Sequence, residues 1–279
     1  MASIKLSQGM TEYELAGPEA GPLVLLLHGG TVPMWTWDPQ LPALHAAGFR
    51  TLRYDMYGKG RSDCPPLVYD RALFKRQLLE LLERLDILEP FHLAGFSFGG
   101  ATAVNFAADR PEQVLSLALI SPVFFFEQDN ALVRIARMPI VGALFLHFVA
   151  MKKAAGRAAK LWSGAEHPGH YQALFKQQIE QAGFERAFLS YLCSDALGDY
   201  SAVYRKLGEQ GRKALLVWGK QDQDIPAAHI EQIRRLVPLA DYHELSGISH
   251  GVLFQASATV NEILIDHLRE ASGQGSAST

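Results

Sequence analysis

The chain has 279 residues, of which 48% are hydrophobic and 20% are charged, and its formal net charge is −3. This length suits one large α/β domain or two small ones, and the composition is that of an ordinary soluble globular protein. With no excess of positive charge, we expect no nucleic-acid partner.

No segment of the sequence is typical of a membrane or secretion signal. The longest apolar stretch, Met138–Met151, is interrupted by His147 and is too short to span a bilayer. The first twenty residues lack the basic start and apolar core of a signal peptide. Cys64 and Cys193 are far apart in the sequence, as is common for free thiols. We therefore expect a cytoplasmic protein without stable membrane insertion.

Strand and helix patterns alternate over the first 120 residues. Leu23–Leu27 is five consecutive aliphatic residues, the pattern of a strand buried on both faces. Apolar residues at helical spacing predict a helix over Asp70–Leu88, with Asp70 as its N-cap and Pro90 beyond its end. The other elements predicted here are strands Phe49–Tyr54, Phe91–Phe96 and Val114–Ile120 and the helix Gly99–Asp109. Such alternation predicts a parallel sheet with helices on both faces.

The alternation stops between about Val123 and Tyr200, where the pattern is helical. The helices predicted there are Met138–Met151, Met151–Trp162 and His170–Tyr191. Alternation resumes with strand Ala214–Trp218, helix Ala227–Val237, a strand near Tyr242–Leu245 and helix Thr259–Glu270. We therefore predict a core of residues 1–122 and 201–270, a helical cap of residues 123–200, and a flexible tail of residues 271–279. A cap inserted there covers the carboxyl edge of the sheet, where open α/β sheets bind ligands.

A short turn between a predicted strand and a predicted helix is the most specific motif in the chain. Gly95–Gly99 reads Gly-Phe-Ser-Phe-Gly, the pattern G-x-S-x-G. A serine at this position lies on a strained turn that exposes its hydroxyl above the sheet edge. The flanking glycines let the strand and the helix approach closely. This context predicts that Ser97 is a nucleophile.

A serine nucleophile needs a general base that is oriented by a carboxylate. His250 lies in a loop of small residues between the last predicted strand and the last predicted helix, where the base belongs in the order Ser, Asp, His. Asp222 and Asp224 both follow the strand Ala214–Trp218, and periodicity does not separate these two candidates for the acid.

Acyl transfer also needs donors for the oxyanion of the tetrahedral intermediate. The backbone N–H of Phe98, directly after the predicted nucleophile, is one candidate. The other lies in the loop His28–Thr31, with Gly30 as the predicted donor and His28 as the residue that orders the loop.

Five motifs in this chain, in this order, resemble those of α/β-hydrolase fold serine hydrolases over about residues 10–270. They are His28–Gly30, Asp55–Ser62, the turn at Ser97, the loop Trp218–Pro226 and the loop at His250. The resemblance implies a mostly parallel sheet flanked by helices, with a helical cap after the strand that follows the nucleophile helix. In that family the acid usually lies three residues after the loop glycine and four before the proline, which selects Asp222. Some members instead place the acid after the fourth of these strands, near Glu127 or Asp129 here.

The family resemblance implies a carboxylic-ester hydrolase, like a carboxylesterase or lipase, that needs neither a cofactor nor a metal. Relatives that act on haloalkanes or epoxides carry aspartate at the nucleophile position, and Ser97 argues against both activities. Aromatic and aliphatic residues near the site predict a small-molecule ester with a hydrophobic acyl or aryl group. The residues predicted to bind it are Trp35, Phe96, Phe124 and Leu253.

Three further functions stay open at this point, and the first is hydrolysis of a carbon–carbon bond. The helix after Ser97 is very similar to that of meta-cleavage carbon–carbon bond hydrolases, but those enzymes typically carry asparagine where this chain has Phe96, and tryptophan where it has Gly251. Their substrate carboxylate needs a cationic partner, which Arg134, Arg137 or Arg186 would supply only from an inward-folded cap. The second function is cofactor-free perhydrolase or haloperoxidase activity, and the third is a non-catalytic ligand-binding role.

Overall fold

A computed structural model describes residues 1–127, 131–138, 141–142, 156 and 159–273 of the protein. Within these residues, eight strands form one sheet. The strands are β1 (Ala2–Leu6), β2 (Gly9–Ala16), β3 (Leu23–Leu27), β4 (Arg50–Tyr54), β5 (Phe91–Phe96), β6 (Val114–Ile120), β7 (Ala214–Gly219) and β8 (Ala240–Leu245). Their order in the sheet is β1-β2-β4-β3-β5-β6-β7-β8.

The predicted parallel sheet is confirmed for strands β3 to β8. Parallel pairing brings Leu27 at the end of β3 opposite Gly95, and Ile120 at the end of β6 opposite Phe96. The carboxyl ends of these strands therefore meet at one edge, which carries the loops with the predicted site residues. Strands β1 and β2 pair antiparallel at the other side of β4 and were not predicted. β1 lies at the sheet edge with most of its residues exposed, so its sequence lacks the apolar run that marks a buried strand.

Helices pack on both faces of the sheet, as the alternation predicts. They are α1 (Leu41–Ala46), α2 (Arg71–Arg84), α3 (Phe98–Asp109), α4 (Ala131–Ala136), α5 (Pro168–Ile179), α6 (Phe184–Cys193), α7 (Ser201–Glu209), α8 (Ala227–Leu236), α9 (Val252–Gln255) and α10 (Ser257–Ala271). The predicted N-cap of α2 is confirmed, because the Asp70 carboxylate accepts a hydrogen bond from the Leu73 N–H at 2.8 Å. Helices α1, α4, α7 and α9 are short or lack a clear start signal and were not predicted.

The consecutive aliphatic residues of β3 supply two separate apolar layers. Leu25 and Leu27 pack into a cluster on one face of the sheet, whereas Val24 and Leu26 pack into a cluster on the other. Alternating side chains of a strand point to opposite faces, so a strand covered on both sides must be apolar throughout. Burial of both layers holds the carboxyl edge of the sheet in place.

The described elements between Val123 and Tyr200 are helical. The prediction of one helix over His170–Tyr191 was wrong, because α5 ends at Ile179 and α6 begins at Phe184, with Gly183 at a φ of 86° between them. That left-handed conformation favours glycine and breaks the helix. The helices predicted over Met138–Met151 and Met151–Trp162 fall largely outside the described residues, and so do residues 274–279 of the predicted tail.

Two further expectations from the sequence concern the thiols and the membrane. Cys64 and Cys193 are both free thiols. No helix in the described ranges combines the length and the apolar character that crossing a bilayer requires.

Candidate active site

Ser97 lies on a strained turn between β5 and α3. Its backbone φ is 55° and its ψ is −117°, a conformation that residues with a Cβ rarely adopt. A Cβ added at Gly99 would overlap the carbonyl oxygen of Leu27, and one at Gly95 would overlap the carbonyl oxygen of Gly99. The glycines are therefore required for the close approach of strand and helix, as the sequence predicts. This approach lifts the Ser97 hydroxyl above the sheet edge.

Ser97, His250 and Asp222 form a continuous hydrogen-bonded chain. His250 Nε2 lies 3.0 Å from Ser97 Oγ, and His250 Nδ1 lies 2.7 Å from Asp222 Oδ2. One imidazole nitrogen thus faces the serine hydroxyl, and the other lies within hydrogen-bonding distance of the carboxylate. The three residues predicted for the triad therefore meet, although Ser97 is 153 positions and Asp222 is 28 positions from His250 in the sequence.

Asp222 rather than Asp224 contacts the histidine. The Asp222 side chain is fully buried, and its Oδ1 accepts the backbone N–H groups of Asp224 at 2.8 Å and Ile225 at 2.9 Å. These two bonds fix the carboxylate so that Oδ2 faces the imidazole. Asp224 is exposed. Of the two other positions considered for the acid, Glu127 is exposed and Asp129 lies outside the described residues.

The loop that carries His250 is held by Gln255 and by the segment before α5. Gln255 Oε1 accepts the Ser249 N–H at 2.9 Å and the Ser249 hydroxyl at 3.0 Å. The amide nitrogen of Gln255 donates to the carbonyl oxygen of Lys160 at 3.0 Å. A Cβ at Gly251 would overlap the carbonyl oxygen of Leu161, so in this chain a larger residue after His250 requires the Leu161 backbone to move. Gln255 is a positioning residue that the sequence did not reveal.

Two opposing effects set the pKa of His250. Burial alone lowers the pKa, but the hydrogen bond and charge of Asp222, together with the charge of Asp224, raise it above the ordinary value of 6.5. The carboxylates therefore make the imidazole a stronger base for the serine proton.

This pKa shift gives a prediction for the pH dependence of catalysis. A base must be neutral to accept a proton, so kcat/KM for an ester should rise with pH through a midpoint above 6.5. The variant Asp224→Asn should move that midpoint to lower pH, because it removes one charge that favours the imidazolium. The measurement is kcat/KM against pH from about 5 to about 9 for both proteins. A midpoint well below 6.5 in the wild-type protein would contradict the assignment of the base.

Within the described residues, the structure leaves two backbone N–H groups at the predicted oxyanion site, those of Gly30 and Phe98, without a carbonyl partner. Phe98 is the first residue of α3, and a helix N-terminus favours negative charge. His28 orders the loop as predicted, since its Nε2 accepts the Met56 N–H at 2.9 Å and its Nδ1 bonds the Gly29 carbonyl at 2.7 Å. Burial lowers the pKa of His28 to about 3, so this ring stays neutral.

The four residues predicted to bind the substrate lie in different places. The Phe96 ring contacts the His250 ring, with centroids 5.0 Å apart. Leu253 and Trp35 belong to the same apolar cluster as Phe96. Phe124 instead lies in the cluster on the other face, where its ring packs against Tyr204 at 5.6 Å. Of the four, Phe96 is therefore the one with a described contact to the triad.

A cleft of about 720 Å³ opens beside Trp35, between the segment that follows β3 and helix α5. Charged and amide side chains line much of it, including those of Asp38, Arg53 and Gln178. Ser97 and His250 are not part of its lining. Of the four residues predicted to bind the substrate, Trp35 lines this cleft, whereas Phe96, Phe124 and Leu253 are not part of its lining.

Within the described residues, one group of side chains has ligand atoms close enough together, within 4.8 Å, to hold a metal ion. The group consists of Asp222, Asp224 and His250. Two of these atoms, His250 Nδ1 and Asp222 Oδ2, already share a hydrogen bond of 2.7 Å. A metal ligand cannot keep that bond, because the cation would take the same lone pairs. The arrangement fits a base and its orienting acid better than a metal centre.

Two residues near the oxyanion loop were missed from the sequence. Tyr191 of α6 lies over Gly30, because a Cβ at Gly30 would overlap the Tyr191 hydroxyl oxygen. The ammonium of Lys59 lies 4.6 Å from the centroid of the Tyr191 ring. Tyr191 is separated from Gly30 by 161 positions and belongs to no motif, so only the fold brings them together.

Comparison with known proteins gives a matching family model and several relatives. The model of a protein family described as alpha/beta hydrolase fold matches residues 22–257. A 2-hydroxy-6-oxo-6-phenylhexa-2,4-dienoate hydrolase of Comamonas testosteroni is 26% identical over 95% of this chain and 93% of its own length. The carboxylesterase YbfK of Bacillus subtilis (strain 168) is 35% identical over 42% of this chain and 40% of its own.

Another relative is longer than this chain. The dihydrolipoyllysine-residue acetyltransferase component of the acetoin cleaving system of Pseudomonas putida is 31% identical over 92% of the chain, which spans 66% of that protein, just under two thirds. Among solved structures, the enol-lactonase from Burkholderia xenovorans LB400 superposes with a TM-score of 0.80, at 20% identity, over 96% of this chain and 99% of that one. This last likeness shows a shared fold.

Proposed function

The chain belongs to the alpha/beta hydrolase fold family, and on that premise we propose that it is a serine hydrolase that cleaves carboxylic esters through an acyl-enzyme. The observation that carries this proposal is the hydrogen-bonded chain from Ser97 Oγ through His250 to Asp222, with contacts of 3.0 and 2.7 Å. A binding protein has no need of a base held against a serine hydroxyl. The carboxylesterase among the relatives supports the same chemistry.

The proposed mechanism has two steps that use the same residues. In the first, Ser97 Oγ attacks the ester carbonyl carbon while its proton passes to His250 Nε2, and the imidazolium then protonates the departing alcohol. In the second, His250 takes a proton from water, whose oxygen attacks the acyl carbon; the imidazolium then returns that proton to Ser97 Oγ as the acid is released. Asp222 stabilises the imidazolium in both steps. The Gly30 and Phe98 N–H groups hold the oxyanion of each tetrahedral intermediate.

We propose a hydrophobic acyl or aryl group as the part of the substrate next to the triad. Phe96 is almost fully buried and contacts the His250 ring, and Leu253 and Trp35 extend the same apolar cluster. Burying a charged group against these side chains would cost several kcal/mol, whereas an uncharged chain gains about 25 cal/mol per Å² of apolar area buried. The cap that we propose over residues 123–200 would close this region from solvent.

Hydrolysis of a carbon–carbon bond in a meta-cleavage product is the second candidate. It is supported by the dienoate hydrolase that matches nearly the whole chain. Its substrate carboxylate needs a cation at the site, and the three arginines considered for this role, Arg134, Arg137 and Arg186, are exposed to solvent. An exposed guanidinium is not held towards a buried site, and this supports the ester over the dienoate.

A panel of substrates tests the proposal. We expect hydrolysis of p-nitrophenyl acetate, butyrate and octanoate, with kcat/KM at least about tenfold higher for butyrate or octanoate than for acetate, because each buried methylene contributes about 0.8 kcal/mol. The comparison substrate is 2-hydroxy-6-oxo-6-phenylhexa-2,4-dienoate, followed by loss of its absorbance. Faster turnover of the dienoate than of every ester would replace the proposal with the second candidate, and turnover of neither would reject both.

A further inference from the structure

Tyr191 brings a third hydrogen-bond donor to the predicted oxyanion site. A Cβ added at Gly30 would overlap the Tyr191 hydroxyl oxygen and would lie 2.9 Å from Tyr191 Cζ. The Tyr191 ring also meets the Phe98 ring edge-on, with centroids 4.9 Å apart at 75°. One side chain therefore contacts both residues whose N–H groups we assign to the oxyanion.

The Tyr191 hydroxyl has no partner among the described residues. The side chain is only 3% exposed. Its carbonyl accepts a bond from Ser194 Oγ at 3.1 Å, but no described residue bonds to its hydroxyl. The Tyr191 hydroxyl oxygen is also not one of the fully buried atoms without a partner in the described structure, so it keeps some access to solvent, where a ligand oxygen could reach it. An unpaired donor over Gly30 therefore points to an oxygen of the substrate.

The helix that carries Tyr191 is fixed to the core at several points. Ser190 Oγ accepts the Tyr69 N–H at 3.0 Å, and Arg186 donates to the carbonyl oxygen of Cys64. A Cβ at Gly58 would lie 2.7 Å from the Cβ of Ala187, so the helix sits directly on this loop. The position of the hydroxyl is thus set before a substrate binds, which is the condition for effective stabilisation of an oxyanion.

Lys59 places a positive charge against the Tyr191 ring. Its Nζ lies 4.6 Å from the ring centroid and 5.8 Å from that of Phe188. The ammonium is fully buried and has no hydrogen-bond partner among the described residues. Burial lowers its pKa to about 8, so most of it is charged at neutral pH. A cation on the ring face draws electron density from the ring, and this makes the phenol a stronger donor.

We propose that the Tyr191 hydroxyl donates a third hydrogen bond to the substrate oxyanion, and that Lys59 strengthens this donor through the ring. The inference rests on the proposed function, because it requires a tetrahedral intermediate on Ser97. No proton is transferred to the oxyanion and no bond to Tyr191 is formed. The hydrogen bond strengthens as the carbonyl oxygen gains charge and weakens when the carbonyl re-forms. Tyr191 is then a catalytic residue, and Lys59 is a positioning residue that acts through it.

The variant Tyr191→Phe tests the hydroxyl while it keeps the ring. We expect kcat for p-nitrophenyl butyrate to fall by about 10- to 100-fold with KM changed less than about twofold, since the donor acts mainly in the transition state. Inhibition by phenylboronic acid, which forms a tetrahedral adduct on the serine, should weaken by a similar factor. Tyr54→Phe is the matched control, because the buried Tyr54 hydroxyl also lacks a partner in the described structure. Its kinetics should match those of the wild-type protein.

The variant Lys59→Met tests the charge while it keeps the length of the side chain. We expect kcat to fall by about two- to tenfold, with no further fall when Lys59→Met is added to Tyr191→Phe. Additive losses would show that Lys59 acts independently and would overturn its part of the proposal. Unchanged kcat and unchanged boronate inhibition in Tyr191→Phe would overturn the whole inference. If wild-type protein cleaves no ester, the proposed function fails first, and that outcome is distinct.

Discussion

Replacing Ser97 with alanine is expected to lower kcat for p-nitrophenyl butyrate by at least about 10⁴-fold, because no other group is placed to form the acyl-enzyme. His250 Nε2 would then face a methyl group instead of the hydroxyl 3.0 Å away. The residual rate should come from direct attack of water on the ester, with the oxyanion donors still stabilising the tetrahedral intermediate. The measurement is steady-state hydrolysis of the ester, with circular dichroism to confirm that the variant is folded.

The matched control for this variant is Ser121→Ala. Ser121 shares a positive φ, 42°, with Ser97, is fully buried, and has a hydroxyl without a partner among the described residues. It follows β6, directly beside β5 in the sheet, so both variants change the same edge. We expect Ser121→Ala to keep kcat within about threefold of the wild type. An equal loss in both variants would mean that the effect of Ser97→Ala is structural.

Replacing Asp222 with asparagine is expected to lower kcat by about 10⁴-fold, the size of the effect at the corresponding step of serine proteases. The amide cannot accept both backbone N–H groups and the imidazole N–H as the carboxylate does, so the histidine loses the tautomer that the serine needs. The exposed neighbour provides the control, and Asp224→Asn should change kcat less than about fivefold. Both variants are assayed with the same ester at a fixed pH.

The pair of aspartate variants also separates two accounts of the site. If Asp222 orients the base, only its variant loses activity, and the midpoint of its pH profile also moves to lower pH, since Asp222 raises the pKa of His250. Similar, mild losses in both variants would contradict a triad acid in this loop. The charge of Asp224 would then matter as much as the hydrogen bond of Asp222.

Much of the site could be predicted because its signals are local. The tight turn at Ser97 needs glycines at fixed positions, and the aliphatic run of β3 needs burial on both faces. Parallel strands then bring their carboxyl ends to one edge, so residues distant in the chain meet there without any further assumption. The choice of Asp222 over Asp224 was different, because it came from spacing in a resembling family and not from periodicity.

The rest depended on contacts that leave no local signal. The edge strand β1 carries little apolar patterning, because an edge strand is largely solvated. The break between α5 and α6 rests on the single left-handed residue Gly183, within a pattern that otherwise reads as one helix. The meeting of Tyr191 with Gly30 and the position of Lys59 under its ring arise only from the docking of α6 on the core. Composition also could not tell that Phe124 packs in a different apolar cluster from Phe96, since it does not say which face a loop covers.

Labelling with a fluorophosphonate probe tests the central claim most directly. The probe reacts with a serine only when a base activates it and the oxyanion site receives the phosphonyl oxygen. We predict stoichiometric labelling of the folded protein, with the modified peptide containing Ser97, and no labelling of Ser97→Ala or of heat-unfolded protein. Ester hydrolysis should disappear in parallel with labelling. Absence of labelling in active, folded protein, or labelling at another residue, would contradict the assignment of Ser97 as the nucleophile.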